Sequence, residues 1–566
     1  MTVVTRWFIP ALIAALSFFG AMAGAGATEP FTGGDAEAGR RLYWDGTGAD
    51  GQPISGLTQG DIRVSGAQFS CLNCHRPSGF GSSEGGNYVP PITAPILFSP
   101  RKLVRNRLFK EFFQEVQPDS FWARVRQPRM RPGYDGTTLA RALRDGLDSS
   151  GAPLHPIMPR YDLADTDVAN LMAFLKTLST EFDEGVGQTD IHFATVVTAD
   201  ADPAARKAVL ETMEVFFKWM NKDTEGDTHN PSFSPYYRSA FIGAYRYWRL
   251  HVWDLEGPPE TWGDQLAASY AEQPVFAVVS GLVKGPWAPI GDFCDAKRMP
   301  CLFPNTELPR TSDARYGYSL YFNRGLELEA EALLMHLADT APPGRVLQIR
   351  APGPDGETPA IAFEAYAAIR LPQTRVDTIE VADPGALTSA LAAAEGANAP
   401  DVVVIWPGDP AAAIADVARL GAEGPDIYLP SAALGPAIEI LPVALQKRVR
   451  FVWPYERPDA YHPRKFRVRA WMHTRRLAVT HDRLQRQTYY ALTLLQYGLQ
   501  HALEDFYRDY LIELIEHEAE NELNPGTHPS LALGPGQRFA SKGAFLAEVD
   551  PSQKRGYRTI SGWIVP

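Results

Sequence analysis

The chain carries four cysteines in 566 residues, and two of them stand in "FSCLNCHRPSGFG" with a histidine directly after the second. Cys71-Leu72-Asn73-Cys74-His75 has the spacing at which two thiols can add across the two vinyl groups of one haem edge. The imidazole of the next residue then falls beneath the ring, within reach of iron. A structural zinc site would need a second pair of soft ligands at similar spacing, and none stands nearby in the sequence. A redox dithiol has no use for the histidine and should open a helix after a strand, whereas these flanks are rich in Ser and Gly. The residues therefore predict one covalent haem c, attached through Cys71 and Cys74, with His75 as the proximal iron ligand. Met158 in "PIMPRY" is the expected distal ligand, because a thioether in a stiff, proline-flanked loop suits that position. Met130 in "QPRMRPGY" and His155 are its rivals.

The other two cysteines, Cys294 and Cys301, are expected to form a disulfide, as leftover cysteines do in an oxidising compartment. That compartment is implied by the first residues, 1–27, which read as a signal peptide. Arg6 precedes a short apolar stretch interrupted by Pro10, and Ala25-Gly26-Ala27 offers a small-x-small cleavage pattern. No later segment is apolar for long enough to span a bilayer, so the mature protein is expected to be soluble in the periplasm. A formal charge of −12 argues against nucleic acid or anionic lipid as a partner of the whole chain. No G-x-G-x-x-G, P-loop, G-x-S-x-G or H-E-x-x-H pattern occurs, so the sequence offers no enzymatic motif.

The elements that must position these residues divide the chain in two. Around the cysteine–histidine motif lie "AGRRLYWDG", "MPRY" and the amphipathic run "DVANLMAFLKTL". With "CLNCH", these stretches resemble a class I cytochrome c domain, taken as 36–180 and expected to be all-α. The resemblance implies electron transfer to a periplasmic redox partner protein. It also implies that a proline carbonyl, from Pro90 or Pro91, accepts the Nδ1 hydrogen bond of His75. After a polar, Gly-containing linker at 181–189, the pattern changes to short apolar strands alternating with helices. Examples are "IHFATVVT", "VFAVVSGL", "GRVLQIRAPG" and "DVVVIWPG". Two such series predict two α/β lobes with parallel sheets over 190–566.

This second part, with "PVFAVVSGLVKGPWAPIGDFCDAKRMPCLFPN" as its most telling stretch, resembles the type 1 periplasmic binding proteins. Within them it is similar to the branched-chain amino-acid (Leu/Ile/Val) receptor family of ABC transporters. The resemblance implies a small-molecule ligand in the cleft between lobes and points to Ser280, Lys284 and Trp287 as cleft residues. It also suggests service to a quinoprotein dehydrogenase system. The expected whole is a multidomain protein, a periplasmic c-type cytochrome fused to a solute-binding domain and not an enzyme. The alternative is an ABC-transporter-type solute receptor or sensor whose haem reports redox state.

Overall fold

The computed structural model describes residues 31, 33–84, 87–102, 130–229, 246–310, 316–382, 384–394, 399–503, 505–519 and 523–566; the expected signal peptide lies outside them. They form two compact units. The first takes the described residues through His75, those from Gly81 to 102 and those from 130 to Leu178; the second takes Arg76–Phe80 and Ser179–Pro566. Among the described residues no helix is long and apolar enough to cross a membrane.

The first unit is organised by two helices that cross closely. Asp35 starts α1 (Ala36–Asp45) by accepting the Glu37 N–H at 2.9 Å, and Gly46 ends it in a left-handed conformation at φ 64°. A later helix, α4 (Asp165–Leu175), lies against α1. Gly39 makes the crossing possible, since a Cβ there would stand 2.0 Å from the Asn170 carbonyl oxygen. Tyr43 and Phe174 then meet with ring centroids 5.2 Å apart. Between them in sequence come β1 (Ser55–Thr58), β2 (Ile62–Ser65), α2 (Leu72–His75), α3 (Gly136–Asp145) and β3 (Arg160–Tyr161).

The all-α expectation for this part is corrected. β1 pairs antiparallel with both β2 and β3 in a three-stranded sheet, and Ser82–Glu84 pairs with Asn87–Val89 in a further hairpin. The reason lies in the long stretch before Cys71. It alternates as a strand does at Ile62-Arg63-Val64-Ser65, where only Val64 is buried, and turns back at Gly60.

The second unit has two lobes, each a sheet between helices. The first lobe contains β4 (Asp190–Thr198), α5 (Pro203–His229), β5 (Tyr247–Leu255), α6 (Trp262–Glu272), β6 (Ala277–Val279), α7 (Ala288–Ala296), β7 (Cys301–Leu302) and β8 (Ser319–Leu320). Its strands run parallel in the order β8-β7-β6-β4-β5. The second lobe follows with α8 (Gly325–Thr340), β9 (Arg345–Arg350), α9 (Pro354–Arg370), β10 (Arg375–Glu380), α10 (Pro384–Ala394), β11 (Val402–Trp406), α11 (Pro410–Val417), β12 (Asp426–Leu429), α12 (Leu434–Ile440) and β13 (Val449–Trp453). The chain then gives α13 (Pro463–Thr474), α14 (Asp482–Ala502) and α15 (Arg508–Glu518), which pack on the first lobe's core. It closes with β14 (Phe545–Val549) and β15 (Tyr557–Thr559), which extend the second sheet antiparallel beside β13.

The central strands are buried on both faces, as all five residues of β11 are, which is why they read as unbroken apolar runs. Apolar clusters fill both sides of each sheet. The segment 181–189, expected as a linker, is built into this unit. Gly185, at φ 90°, lies so close to the Val275–Phe276 backbone that a Cβ would stand 2.2 Å from the Phe276 nitrogen.

Cys294 and Cys301 form a disulfide with their Cα atoms 6.3 Å apart, pinning α7 to the start of β7. Only seven positions separate them, so the loop-closure argument gives about 2–3 kcal/mol of stabilisation. Urea unfolding of the protein with and without reductant should show a loss of that size. An unchanged midpoint with both thiols free would show that the bond leaves the unfolded chain's entropy untouched.

Candidate functional site

Most of the parallel strands of both lobes end facing the same cavity. Its lining follows β4 at Ala201 and Asp202, β6 at Leu282–Gly285, β7 at Pro304–Leu308, β9 at Asp355, β11 at Pro407 and Gly408, and β12 at Pro430 and Ala432. The carboxyl ends of parallel strands are where open α/β sheets bind ligands. The cavity is about 370 Å³, within the range of about 300–1,000 Å³ usual for small-molecule sites. A larger hollow of about 740 Å³ lies against the edge strand β5, lined by His192, Glu214, Trp248 and His251. It is an open groove on one lobe, whereas the smaller cavity gathers charged groups from both lobes, and the site is placed there.

Four prolines (Pro304, Pro407, Pro410 and Pro430) give the cavity a stiff apolar rim. Its polar groups are specific. Asn305 is 7% exposed; its amide nitrogen donates to Ser280 Oγ at 3.1 Å and to the Gly281 carbonyl at 3.0 Å. Its Oδ1 is buried and has no partner among the described residues. Gln487, on α14, is buried at the wall and its side chain makes no hydrogen bond to described residues. One turn earlier, the Arg483 guanidinium lies 3.9 Å over the Tyr455 ring and makes no ion pair or hydrogen bond with described residues. A cation on an aromatic face keeps its charge available at the ring's edge.

Behind this wall Glu329, 3% exposed, accepts the Ser431 N–H at 2.8 Å and lies 2.6 Å from its hydroxyl. Burial, then the nearby Glu307 charge, push its carboxyl up to about 8. From the cavity lining, where Tyr455 and Phe322 stand, an aromatic series crosses between the lobes. Trp453 meets Tyr455 at 5.0 Å, Tyr455 meets His528 at 5.3 Å, and His528 stacks on Phe322 at 5.5 Å with planes 10° apart. His528 is fully buried, and burial pushes its pKa down to about 3, with Arg483 and Arg486 adding to the effect. It is a neutral ring in a stack.

The sequence-expected cleft residues separate in the structure. Lys284 lines the cavity, and its backbone N–H donates to Thr198 Oγ1 at 3.0 Å. Ser280 is fully buried behind the wall, where it holds Asn305 and lies 3.1 Å from Thr488 Oγ1. Trp287 is fully buried in the core beside α7 and does not reach the cavity. Asn305, Glu307, Glu329, Arg483 and Gln487 were not singled out by sequence. The signal available for α14 was a charged, amide-bearing first turn, "DRLQRQ", opening an otherwise apolar helix.

In the first unit, His75 is 8% exposed and its Nδ1 lies 3.2 Å from the carbonyl oxygen of Pro90, so the structure selects Pro90 over Pro91. Burial pushes the His75 pKa down to about 4 and the Cys71 thiol up to about 12. Cys71 and Cys74 are in no disulfide and are half-buried. Met158 is half-buried and its N–H donates to the His155 carbonyl at 3.0 Å; His155 is exposed, and Met130 begins the two-residue strand Met130–Arg131.

No protein-family model and no curated protein sequence matches the chain. Solved structures do. A branched-chain amino acid ABC transporter protein of Thermus thermophilus with bound valine matches 67% of this chain and 97% of its own, at 13% identity and a TM-score of 0.51. A fatty acid ABC transporter substrate-binding protein of Thermomonospora curvata matches 68% and 95% at 13% identity and a TM-score of 0.49. A leucine-binding protein of Thermotoga maritima MSB8 matches 66% and 99% at 13% identity and a TM-score of 0.48. The α/β part thus has the fold of the type 1 periplasmic binding proteins.

The expected cofactor, one covalent haem c, is corrected. Among the described residues no group of three or more His, Cys, Asp or Glu could hold a metal ion. The Thermus structure that shares the fold holds valine. The electron-carrier reading and its redox partner are withdrawn with the cofactor.

Proposed function

We propose that the bilobal unit is an exported solute receptor of the kind that serves ABC transporters. Its cleft takes a small solute with a carboxylate at one end and a positively charged, hydrogen-bond-donating group at the other. The observation that carries this reading is Arg483, held over Tyr455 and in no ion pair with described residues, in a cavity reached from the strand ends of both lobes, with Glu307 near enough to feel its charge. Glu307 supplies an acceptor on the same lining, so the cavity offers both signs of charge. The amino-terminal apolar stretch supports export.

The test is a thermal-shift and calorimetry series with valine and leucine beside two truncated probes, isovalerate without the amine and isoamylamine without the carboxylate. A ligand that binds only the folded state stabilises by about 2.7 kcal/mol at a hundredfold excess over Kd. The zwitterions should shift the transition more than either truncated probe, and Arg483→Ala should abolish the shift while leaving the ligand-free transition in place. If neither zwitterion nor truncated probe moves the wild-type transition, the ligand class is wrong. If Arg483→Ala binds as the wild type does, so is the anion's seat.

A further inference from the structure

One face of the second unit opposes the charge of the chain. Between residues 457 and 476 stand six arginines and Lys465 against a single acid, Asp459, in a protein of net charge −12. Most of this stretch is α13. Its apolar residues Val468, Trp471 and Met472 are buried in the first lobe's core, so the outward face is fixed in place. On that face Phe466 is 75% exposed, and just before the helix Tyr461 is 86% exposed. Large aromatic side chains left in water beside a rigid helix mark a surface that meets something.

Only part of this charge serves the fold. Arg469 pairs with Asp482 at 2.7 Å, and Arg475 lies over the rings of Trp219 and Trp471. Lys465, Arg467 and Arg476 make no ion pair with described residues. Arg476 also holds a left-handed backbone at φ 57°, which glycine or asparagine would adopt at lower cost. Burial and the neighbouring cations, Arg555 first, push the Lys465 ammonium down to about 8, with only Asp482 opposing them. Arg555 belongs to the turn between β14 and β15 of the second lobe, so the cationic face draws on both lobes.

We propose that this face, with Phe466 and Tyr461 as apolar anchors and Arg467 and Arg476 as carboxylate clamps, docks an acidic partner protein. Three features favour a protein over an anionic bilayer. Arginine outnumbers lysine six to one here, and the guanidinium fork pairs bidentately with carboxylates. Exposed aromatics among arginines are the composition of protein hot spots. The helix's own apolar stripe is committed to the core, leaving no face to lie in a membrane.

The experiment uses the full chain and a fluorescein-labelled glutamate-rich peptide as probe, read by anisotropy at low and physiological salt, beside co-sedimentation with phosphatidylglycerol and phosphatidylcholine vesicles. The peptide should bind saturably, more weakly as salt rises. The double variant Arg467→Glu/Arg476→Glu should weaken it by at least about tenfold, and Phe466→Ser by about fivefold, the melting transition staying put in both. Arg467→Lys/Arg476→Lys should recover only part of the binding, because a lysine cannot form the fork. The proposal is overturned by any of three results: no saturable peptide binding, equal binding by the charge-reversed variant, or co-sedimentation with phosphatidylglycerol vesicles that the charge reversal abolishes while peptide binding survives.

Discussion

Arg508→Ala is expected to cost the second unit about 4 kcal/mol, seen as a lower urea midpoint with little change in slope. The side chain is 5% exposed and donates to five acceptors. Nε reaches the Phe276 carbonyl at 3.1 Å and Nη1 the Lys297 carbonyl at 3.0 Å. Nη2 reaches the carbonyls of Glu184 at 3.1 Å and Val275 at 2.7 Å and the Tyr270 hydroxyl at 2.9 Å. Tyr270 in turn donates to Glu184. The backbone N–H of Arg508 donates to Asp183 at 2.7 Å, so one residue fastens α15, the sheet and the segment 181–189 together. Truncation strands several carbonyls away from water at about 1–3 kcal/mol each, though some keep a second partner. Arg508→Lys should recover only a minor part, because one ammonium cannot span acceptors set out for a planar fork. A loss below about 1 kcal/mol in the alanine variant would mean that water replaces the guanidinium, and the account of this hub would fail.

The second large effect is a pH dependence centred on Glu329. Its carboxyl titrates near 8 in the fold and near the usual value for glutamate, about 4.3, once unfolded. Between those values the native state holds a proton that the unfolded state has lost. This group's contribution therefore weakens stability progressively as pH rises from about 4.3 through 8 and levels off above that. The size is on the order of 3–5 kcal/mol, since each pKa unit is worth 1.36 kcal/mol. Glu329→Gln keeps an acceptor for the Ser431 N–H and removes the ionisation. The variant should match the wild type near pH 5 and exceed it by that margin near pH 9. Parallel stability profiles across that range would show that Glu329 ionises in the fold without penalty.

Much of the α/β architecture could be read from sequence, because a strand buried on both faces leaves an unbroken apolar run. "DVVVIW" and "GRVLQIR" became β11 and β9, with helices between them where the apolar spacing lengthens. β14 and β15 were missed, since nothing local tells that residues past 540 return to pair antiparallel with β13. The segment 181–189 was misread for a related reason. Its polar Asp183 and Glu184 mean solvent only until partners 325 and 324 positions away are known. Lys284 was legible because it follows a strand directly. Arg483 and Gln487 come from a helix whose link to the cavity wall runs through Thr488 and Asn305, 183 positions apart. Ser280 and Trp287 sit on the right turn, but their side chains face inward, a choice made by packing that composition does not record. In the first unit the hairpins were hidden because their strands are short and broken by glycine.

The aromatic series that crosses between the lobes has a consequence for how tightly any solute is held. His528 stands between Tyr455, which follows β13 of the second lobe, and Phe322, which follows β8 of the first. Swinging the lobes apart disturbs this ring series, in which each contact is worth about 0.5–1.5 kcal/mol. The empty protein is therefore not indifferent to its opening angle. About 1–3 kcal/mol tilts the resting population toward the arrangement in which Arg483, held over Tyr455, and Asn305 line one cavity. A receptor that rests open loses apparent affinity in proportion to the fraction of molecules ready to bind. Here that loss is small, and His528, which is not part of the cavity lining, bears on affinity from behind the two rings that are.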